Sequence, residues 1–411
     1  MKRLRSILDQ RRREKKKKIV ADGPRNEYYE TVSARFGIAQ VILYLLLLAF
    51  VVVSFLFNTE LITYQNFYYF FQDLGASAEN VDTVNTGSLS YPTAREQGFT
   101  LYRGGLAVAG NNSVTVFSAT GRQIVSETVN YSHPVAVGSG KYLLVYEMGG
   151  MQYSLYTSYQ KIHSGKTAYP IHGAAISDSG MYALISATDS STSAVLLFND
   201  RFQQTMEYEF GRAYVNDVAI NENGTRVAIL ATDSVNGRLE SRVKLAKPGE
   251  GEAMFDQTVS ASVGLACTVT SSGRIAVLCG DGVYYLNERG ETVESEPHDT
   301  LTPSYYAIGK DGIAVSLKKN TVSEKNVVRV FDKNGKKVYN GDVAQDIEAV
   351  AYSGDSVFWM TRDGVVRLSL DSGTVTHQAA STVGKRLLAV SEAEVLLCSA
   401  QKAEYISFRS R

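Results

Sequence analysis

Hydrophobic and polar positions follow three different rules along this 411-residue chain. From Gly37 to Thr59 the apolar character is continuous. No charged residue falls between Arg35 and Glu60, and the centre reads Val41-Ile-Leu-Tyr-Leu-Leu-Leu-Leu-Ala-Phe-Val-Val-Val-Ser-Phe-Leu-Phe57. The hydrocarbon core of a bilayer takes about 20 apolar residues of helix to cross, and a helix satisfies its own backbone hydrogen bonds there. The run therefore predicts a transmembrane helix over 37–59. The next stretch is periodic instead. Phe67, Phe70, Phe71 and Leu74 recur at helical spacing, with Tyr64, Tyr68 and Tyr69 beside them and Gly75 placed as a C-cap. Aromatic residues concentrate at membrane–water boundaries, so 60–79 reads as a juxtamembrane amphipathic aromatic helix.

From about Asn80 onward helical periodicity disappears. Short runs of Val, Ile, Leu, Ala and Tyr are broken every few residues by Gly, Asn, Asp and Ser, the pattern of strands and tight turns. One such unit, Ala174-Ala-Ile-Ser-Asp-Ser-Gly-Met-Tyr-Ala-Leu-Ile-Ser186 followed by Ala194-Val-Leu-Leu-Phe-Asn199, recurs in outline. Ala266 to Leu278 with Gly282 to Asn287 repeats it, and so does Ala307 to Ser316 with Val327 to Asp332. First strands begin near residues 99, 134, 173, 217, 265, 305, 348 and 387, about 41 residues apart. That is the period of a four-stranded propeller blade. A lone blade cannot bury both faces, but blades packed radially can, which explains inner strands that are nearly all apolar rather than alternating.

The expected fold is thus an all-β propeller over 80–411 with eight four-stranded blades, seven being the alternative if the first, less regular unit is misread. The final unit, Lys385 to Arg411, has room for three strands only. Val81-Asp-Thr-Val-Asn-Thr-Gly-Ser-Leu-Ser90 is placed to supply the missing outer strand and close the ring, removing exposed sheet edges.

Charge changes the picture next. The formal net charge is zero, but residues 1–36 hold 12 Lys/Arg against 5 Asp/Glu, a balance of +7. The remainder holds 30 against 37, a balance of −7. The positive-inside rule then puts a basic tail, 1–36, in the cytoplasm and the propeller outside the cell membrane. No small-residue cleavage site follows the apolar run closely, so it reads as an uncleaved signal anchor. The expected partners are the lipid bilayer through one span and anionic inner-leaflet lipid at Arg11-Arg-Arg-Glu-Lys-Lys-Lys-Lys18. No aromatic residue is interleaved in that block to stack on bases, so no specific nucleic acid is expected.

Candidate chemistry is sparse. The five histidines, His133, His163, His172, His298 and His377, show no metal-ligand spacing, and there is no nucleophile elbow, P-loop or cofactor motif. Asp332-Lys-Asn-Gly-Lys336 and Asn221-Glu-Asn-Gly224 lack the ligand spacing of a calcium loop and read as hairpin turns. Cys267 and Cys279 flank a hairpin turn and could face each other across two strands or serve as small apolar fillers. Aligning the units on their hairpin glycines brings His133, His172, Asn216, Leu265, Ser304, Asp346 and Arg386 to one equivalent position. Of these, His133, His172, Asn216, Asp346 and Arg386 form a candidate ligand-binding ring at the channel mouth.

The hairpin pattern Ile176-Ser-Asp-Ser-Gly-Met-Tyr-Ala-Leu-Ile185 resembles that of WD40-like propellers. The Trp-Asp dipeptide of true WD40 repeats is replaced by Phe198-Asn199, Leu286-Asn287 and Phe331-Asp332. The whole layout resembles a family of bacterial single-pass membrane proteins of unknown function. The shared order is basic tail, one span, Asn66-Phe-Tyr-Tyr-Phe-Phe-Gln-Asp-Leu74, then an extracytoplasmic propeller. That resemblance implies an architecture and no activity. The expected function is a binding or scaffold module at the cell envelope for a protein or surface polymer. An envelope hydrolase or lyase acting at the channel mouth is the alternative.

Overall fold

The computed structural model describes residues 35–36, 38–46, 48–49 and 87–409, apart from 158–159, 251–252, 320–324 and 381–382. The chain divides into two units, Met1–Ala76 and Ser77–Arg411.

In the first unit, residues 38–46 are helical. Ile38, Val41, Ile42, Leu43, Tyr44, Leu45 and Leu46 are each more than half exposed, so the apolar surface runs around the helix. Among the described residues no helix is long and apolar enough to cross a membrane. Most of the basic tail, the second half of the expected span and all of the expected aromatic helix over 60–79 lie outside the described residues.

The second unit is a ring of eight four-stranded antiparallel sheets, as the repeat predicts. Each blade is a meander in which strands pair in chain order from the inside out. The eight inner strands are Gln97–Tyr102, Pro134–Gly138, Gly173–Ile176, Tyr214–Ile220, Gly264–Val269, Thr302–Gly309, Ala349–Ser353 and Arg386–Ser391, which number blades 1 to 8. These starts fall within three residues of the sequence reading. Second and third strands are mostly buried, and in blade 3 Tyr182–Ser186 and Ala194–Phe198 are buried along their whole length. Outer strands face solvent, as Val375–Ala379 of blade 7 does.

Burial explains why the ring holds. Every hydrophobic cluster spans two neighbouring blades. Ala183, Ile185, Val195 and Leu197 of blade 3 pack on Val215, Val227 and Ile229 of blade 4. Cys267, Ile275 and Val277 of blade 5 pack on Leu230, Val243 and Leu245 of blade 4. No blade owns a core of its own, so stability comes from the interfaces between blades.

Blade 8 takes its outer strand from the start of the domain. Ser88–Ser90 pairs antiparallel with Lys402–Ser407 through Ser88 with Glu404, Leu89 with Ala403 and Ser90 with Lys402. The Tyr91 phenol then donates to the Ser399 carbonyl at 2.8 Å. Its ring lies 5.7 Å from Phe99 and 6.5 Å from Phe117, both in blade 1. The two ends of the ring are thus joined by one short strand and one aromatic side chain.

The residues standing where Trp-Asp would be have a local job. The side-chain oxygen of Asn287 accepts the backbone N–H groups of Arg289 and Glu291 at 2.9 and 3.0 Å, and Asp332 does the same for Asn334 and Lys336. This side-chain bracket forms the tight turn into the outer strand and leaves a left-handed position that Gly290 and Gly335 fill at φ 82° and 88°. Asn221 Oδ1 likewise accepts from Thr225 N and Arg226 N at 2.8 and 2.9 Å with Gly224 at φ 70°, so Asp332–Lys336 and Asn221–Gly224 are both turns.

Candidate functional site

Inner strands begin on one face of the ring, where the crossings between blades and the turns joining second to third strands also lie. His133 and His172 stand immediately before the inner strands of blades 2 and 3. The His133 carbonyl accepts from Met148 N at 2.9 Å, and His172 N donates to the Ile185 carbonyl at 2.8 Å. Both side chains are exposed at the channel mouth. Arg386 opens the inner strand of blade 8, and its exposed guanidinium makes no hydrogen bond or ion pair with a described residue.

Asn216, Leu265 and Ser304 are equivalent in a way the alignment did not specify. Each sits at a register shift in its inner strand, between Val215 and Asp217, Gly264 and Ala266, and Pro303 and Tyr305. Three successive blades therefore carry a bulge at the same place. Asn216 is exposed and accepts from the Thr232 hydroxyl at 2.6 Å. Ser304 turns into blade 6 and donates to the Ser316 carbonyl at 3.0 Å. Asp346 is engaged by Lys318, which holds its carboxyl below the usual carboxylate range. The ring thus divides into exposed His133, His172 and Arg386, and three polar groups already bonded within the fold, the exposed Asn216 with Ser304 and Asp346.

The structure adds a residue that the alignment passed over by one position. Asp217 and Arg386 are the only charged residues on the eight inner strands. The bulge at Asn216 re-aims the strand, and the Asp217 carboxylate crosses to the next blade. Its Oδ2 accepts from Cys267 N at 2.9 Å, and its Oδ1 accepts from Val218 N at 2.9 Å. No described cation pairs with it. The side chain is partly open to the channel, yet protein atoms crowd it closely enough that desolvation pushes its pKa up to about 6, against the pull of the two N–H groups. The Tyr306 phenol lies within the field of both charges. Burial raises its pKa, Asp217 adds to the rise, and Arg386 opposes it.

Large apolar side chains surround this mouth without being covered. Tyr214 is 63% exposed, Met148 42%, and Tyr305 and Tyr306 40% each. Blade 4 raises a rim beside them. Its second and third strands, Val227–Val235 and Arg238–Ala246, run nine residues each around an Asn236-Gly237 turn with both φ values positive. Val235 and Leu239 are exposed near its tip. A cavity of about 480 Å³ lies elsewhere, between blades 2 and 3, lined by Tyr153, Tyr169, Phe198, Lys166, Asp189 and Glu207. Among the described residues no three His, Cys, Asp or Glu side chains are grouped to hold a metal.

Comparison with solved structures shows the propeller fold. Sqt1 of Saccharomyces cerevisiae is similar over 79% of this chain and all of its own, at 11% identity and a TM-score of 0.58. Sqt1 of Chaetomium thermophilum, solved bound to the N-terminus of the ribosomal protein L10, is similar over 79% of this chain and all of its own, at 13% identity and 0.55. BamB of Moraxella catarrhalis is similar over 78% of this chain and 99% of its own, at 13% identity and 0.53. No curated protein matches the sequence. Residues 79–408, the whole ring, match a family of unknown function, DUF5711, and the chain belongs to that family.

Proposed function

We propose that this protein is a membrane-anchored binding module whose ring, held outside the cell membrane, docks a protein partner on the channel-mouth face. The observation that carries the reading is the uncovered set Tyr214, Tyr305, Tyr306 and Met148 around the mouth, on blades 4, 6 and 2, with the unpaired Arg386 on blade 8. Tyrosine, methionine and arginine are the residues that concentrate in protein interfaces, while an ordinary soluble surface leaves them scattered. The raised hairpin of blade 4 gives the face a wall against which a partner can register. Propellers of the same architecture bind protein segments, as the complex with the ribosomal protein L10 N-terminus illustrates for its own chain.

The location rests on separate support. The uncharged run 37–59 is long enough for a bilayer, and its described part is largely apolar, with Gln40 its polar exception. The +7 tail and −7 remainder support the orientation.

A photo-crosslinking residue placed at Tyr214, and another at the exposed Val375 on the outer strand of blade 7, test the docking face in intact cells. A discrete protein adduct from position 214 that is absent from 375 is the expected result. Equal labelling at both positions, or none at 214, overturns the docking face. Protease added to the same cells should remove a tag fused after Arg411 and spare one fused before Met1. The reverse pattern overturns the orientation.

A further inference from the structure

We propose that the partner inserts one ammonium group, from a lysine side chain or a chain N-terminus, into the ring's channel, where Asp217 accepts it. The inference rests on the docking face proposed above and names the chemistry that the face reads.

The channel wall is built from inner strands whose only charged residues are Asp217 and Arg386, on opposite blades. Ala219, Leu265, Ala307, Leu388 and Val390 are partly exposed along it. One carboxylate in such a wall, with no cation to answer it, is held in an unfavourable charged form. A ligand that brings the counter-charge restores the balance, and the raised pKa of the acid is what an empty acceptor of this kind shows.

The geometry also selects among cations. Each Asp217 oxygen already accepts one backbone N–H, from Val218 and from Cys267. Those bonds fix the carboxylate's orientation and leave a lone pair on each oxygen. A guanidinium prefers both oxygens at once in a flat fork, and here the fork would compete with the two N–H groups. An ammonium is a compact donor that needs one free lone pair. Tyr305 and Tyr306, both open on the inner strand of blade 6, offer ring faces that attract a cation on its way in. Arg386 stands on blade 8, across the ring from blade 4. It repels a second positive charge and can take a carbonyl or carboxylate of the same ligand. The partner is thus read as a segment with one leading positive charge followed by acceptors.

The test uses the full chain in detergent micelles and random heptapeptides displayed with free N-termini. Selected peptides are then made synthetically in four forms: unmodified, acetylated at the lysine side chain, acetylated at the N-terminus, and with lysine replaced by arginine. Acetylation at one of the two amines should weaken binding about tenfold or more, the scale of a charged hydrogen bond, and so identify which amine enters. Where that amine is the lysine, arginine in its place should also bind more weakly. Asp217→Asn should weaken the unmodified peptide equally and leave the acetylated peptide unchanged, which also shows that the variant is folded. Peptides indifferent to acetylation and to Asp217→Asn, but weakened by Tyr214→Ala and Arg386→Ala, overturn the ammonium inference and keep the docking face. Peptides indifferent to Tyr214→Ala and Arg386→Ala, or no selected peptide at all, overturn the docking face itself.

Discussion

Closure of the ring through residues 88–91 can be tested by cutting back one side chain. Tyr91 is 7% exposed, donates to the Ser399 carbonyl and packs on Phe99 and Phe117 across the seam between blades 8 and 1. Two substitutions separate its contributions. Tyr91→Phe keeps the ring contacts and removes one hydrogen bond, at a cost of about 1 kcal/mol. Tyr91→Ala removes the aromatic body as well, and a buried aromatic cut to alanine costs about 3–5 kcal/mol. The second figure is a large share of the roughly 5–15 kcal/mol that separates a folded domain from its unfolded chain. The chain's single tryptophan, Trp359, is buried at the interface of blades 6 and 7, so its fluorescence reports on the ring two blade interfaces from the seam. Urea unfolding followed at Trp359 should show a small fall in midpoint for Tyr91→Phe and a fall several times larger for Tyr91→Ala. Val375→Ala, at an exposed position on an outer strand, should move it by less than either. If Tyr91→Ala costs no more than Tyr91→Phe, the seam is not held by this contact and the closure argument fails.

Other consequences follow from groups whose environment the fold fixes. Asp217 binds its proton more readily folded than unfolded, since its pKa rises from 3.8 to about 6. Its contribution to stability is therefore present below pH 4 and declines as pH rises through 6. Between pH 5 and 7 the wild type should lose about 1–1.5 kcal/mol relative to Asp217→Asn in paired urea melts; a parallel pH dependence would contradict the burial argument. His298 titrates the other way. Burial and the Arg329 guanidinium lower its pKa, so the folded state resists protonation and stability falls as pH drops below 6.5. His298→Leu should flatten the acid limb of the stability profile, and an unchanged limb would show that other groups set it. Cys267, Cys279 and Cys398 are free and buried. Ellman's reagent should find no accessible thiol in the native protein and three after denaturation; fewer than three after denaturation would reveal a disulfide.

Much of the ring was readable in the sequence because its controlling physics is local. Strand length, turn residues and the 41-residue period repeat in every blade, so the eight units and even the donated strand at Ser88–Ser90 could be placed from spacing. The residues replacing Trp-Asp were also in view, although their work as turn brackets depends on backbone N–H groups that only the folded turn brings within reach. Relations between blades were less legible. Cys267 and Cys279 flank one turn and invite a pairing, but the turn sets Cys267 two residues away from Cys279 in register, and the bulge at Leu265 moves Cys279 one residue further. Cys267 faces Val277 and Cys279 faces Gly264. A bulge adds one residue to one strand, and spacing alone does not show where.

The same bulge decides the candidate site. Aligning on hairpin glycines found Asn216 as the channel-mouth residue, and Asn216 is indeed the bulged residue of its strand. The electrostatically distinctive group is its neighbour, because the extra residue rotates the strand and sends the next side chain across to blade 5. Ser304 marks the same bulge in blade 6, and the residue after it is Tyr305, one of the exposed tyrosines. Leu265 marks it in blade 5, where the residue after it is the buried Ala266. Three blades thus share one backbone irregularity and fill the following position with an acid, a small residue and an aromatic. If that position is what the ring displays to a ligand, exchanging Asp217 and Tyr305 should alter ligand choice more than exchanging any two residues of the exposed rim.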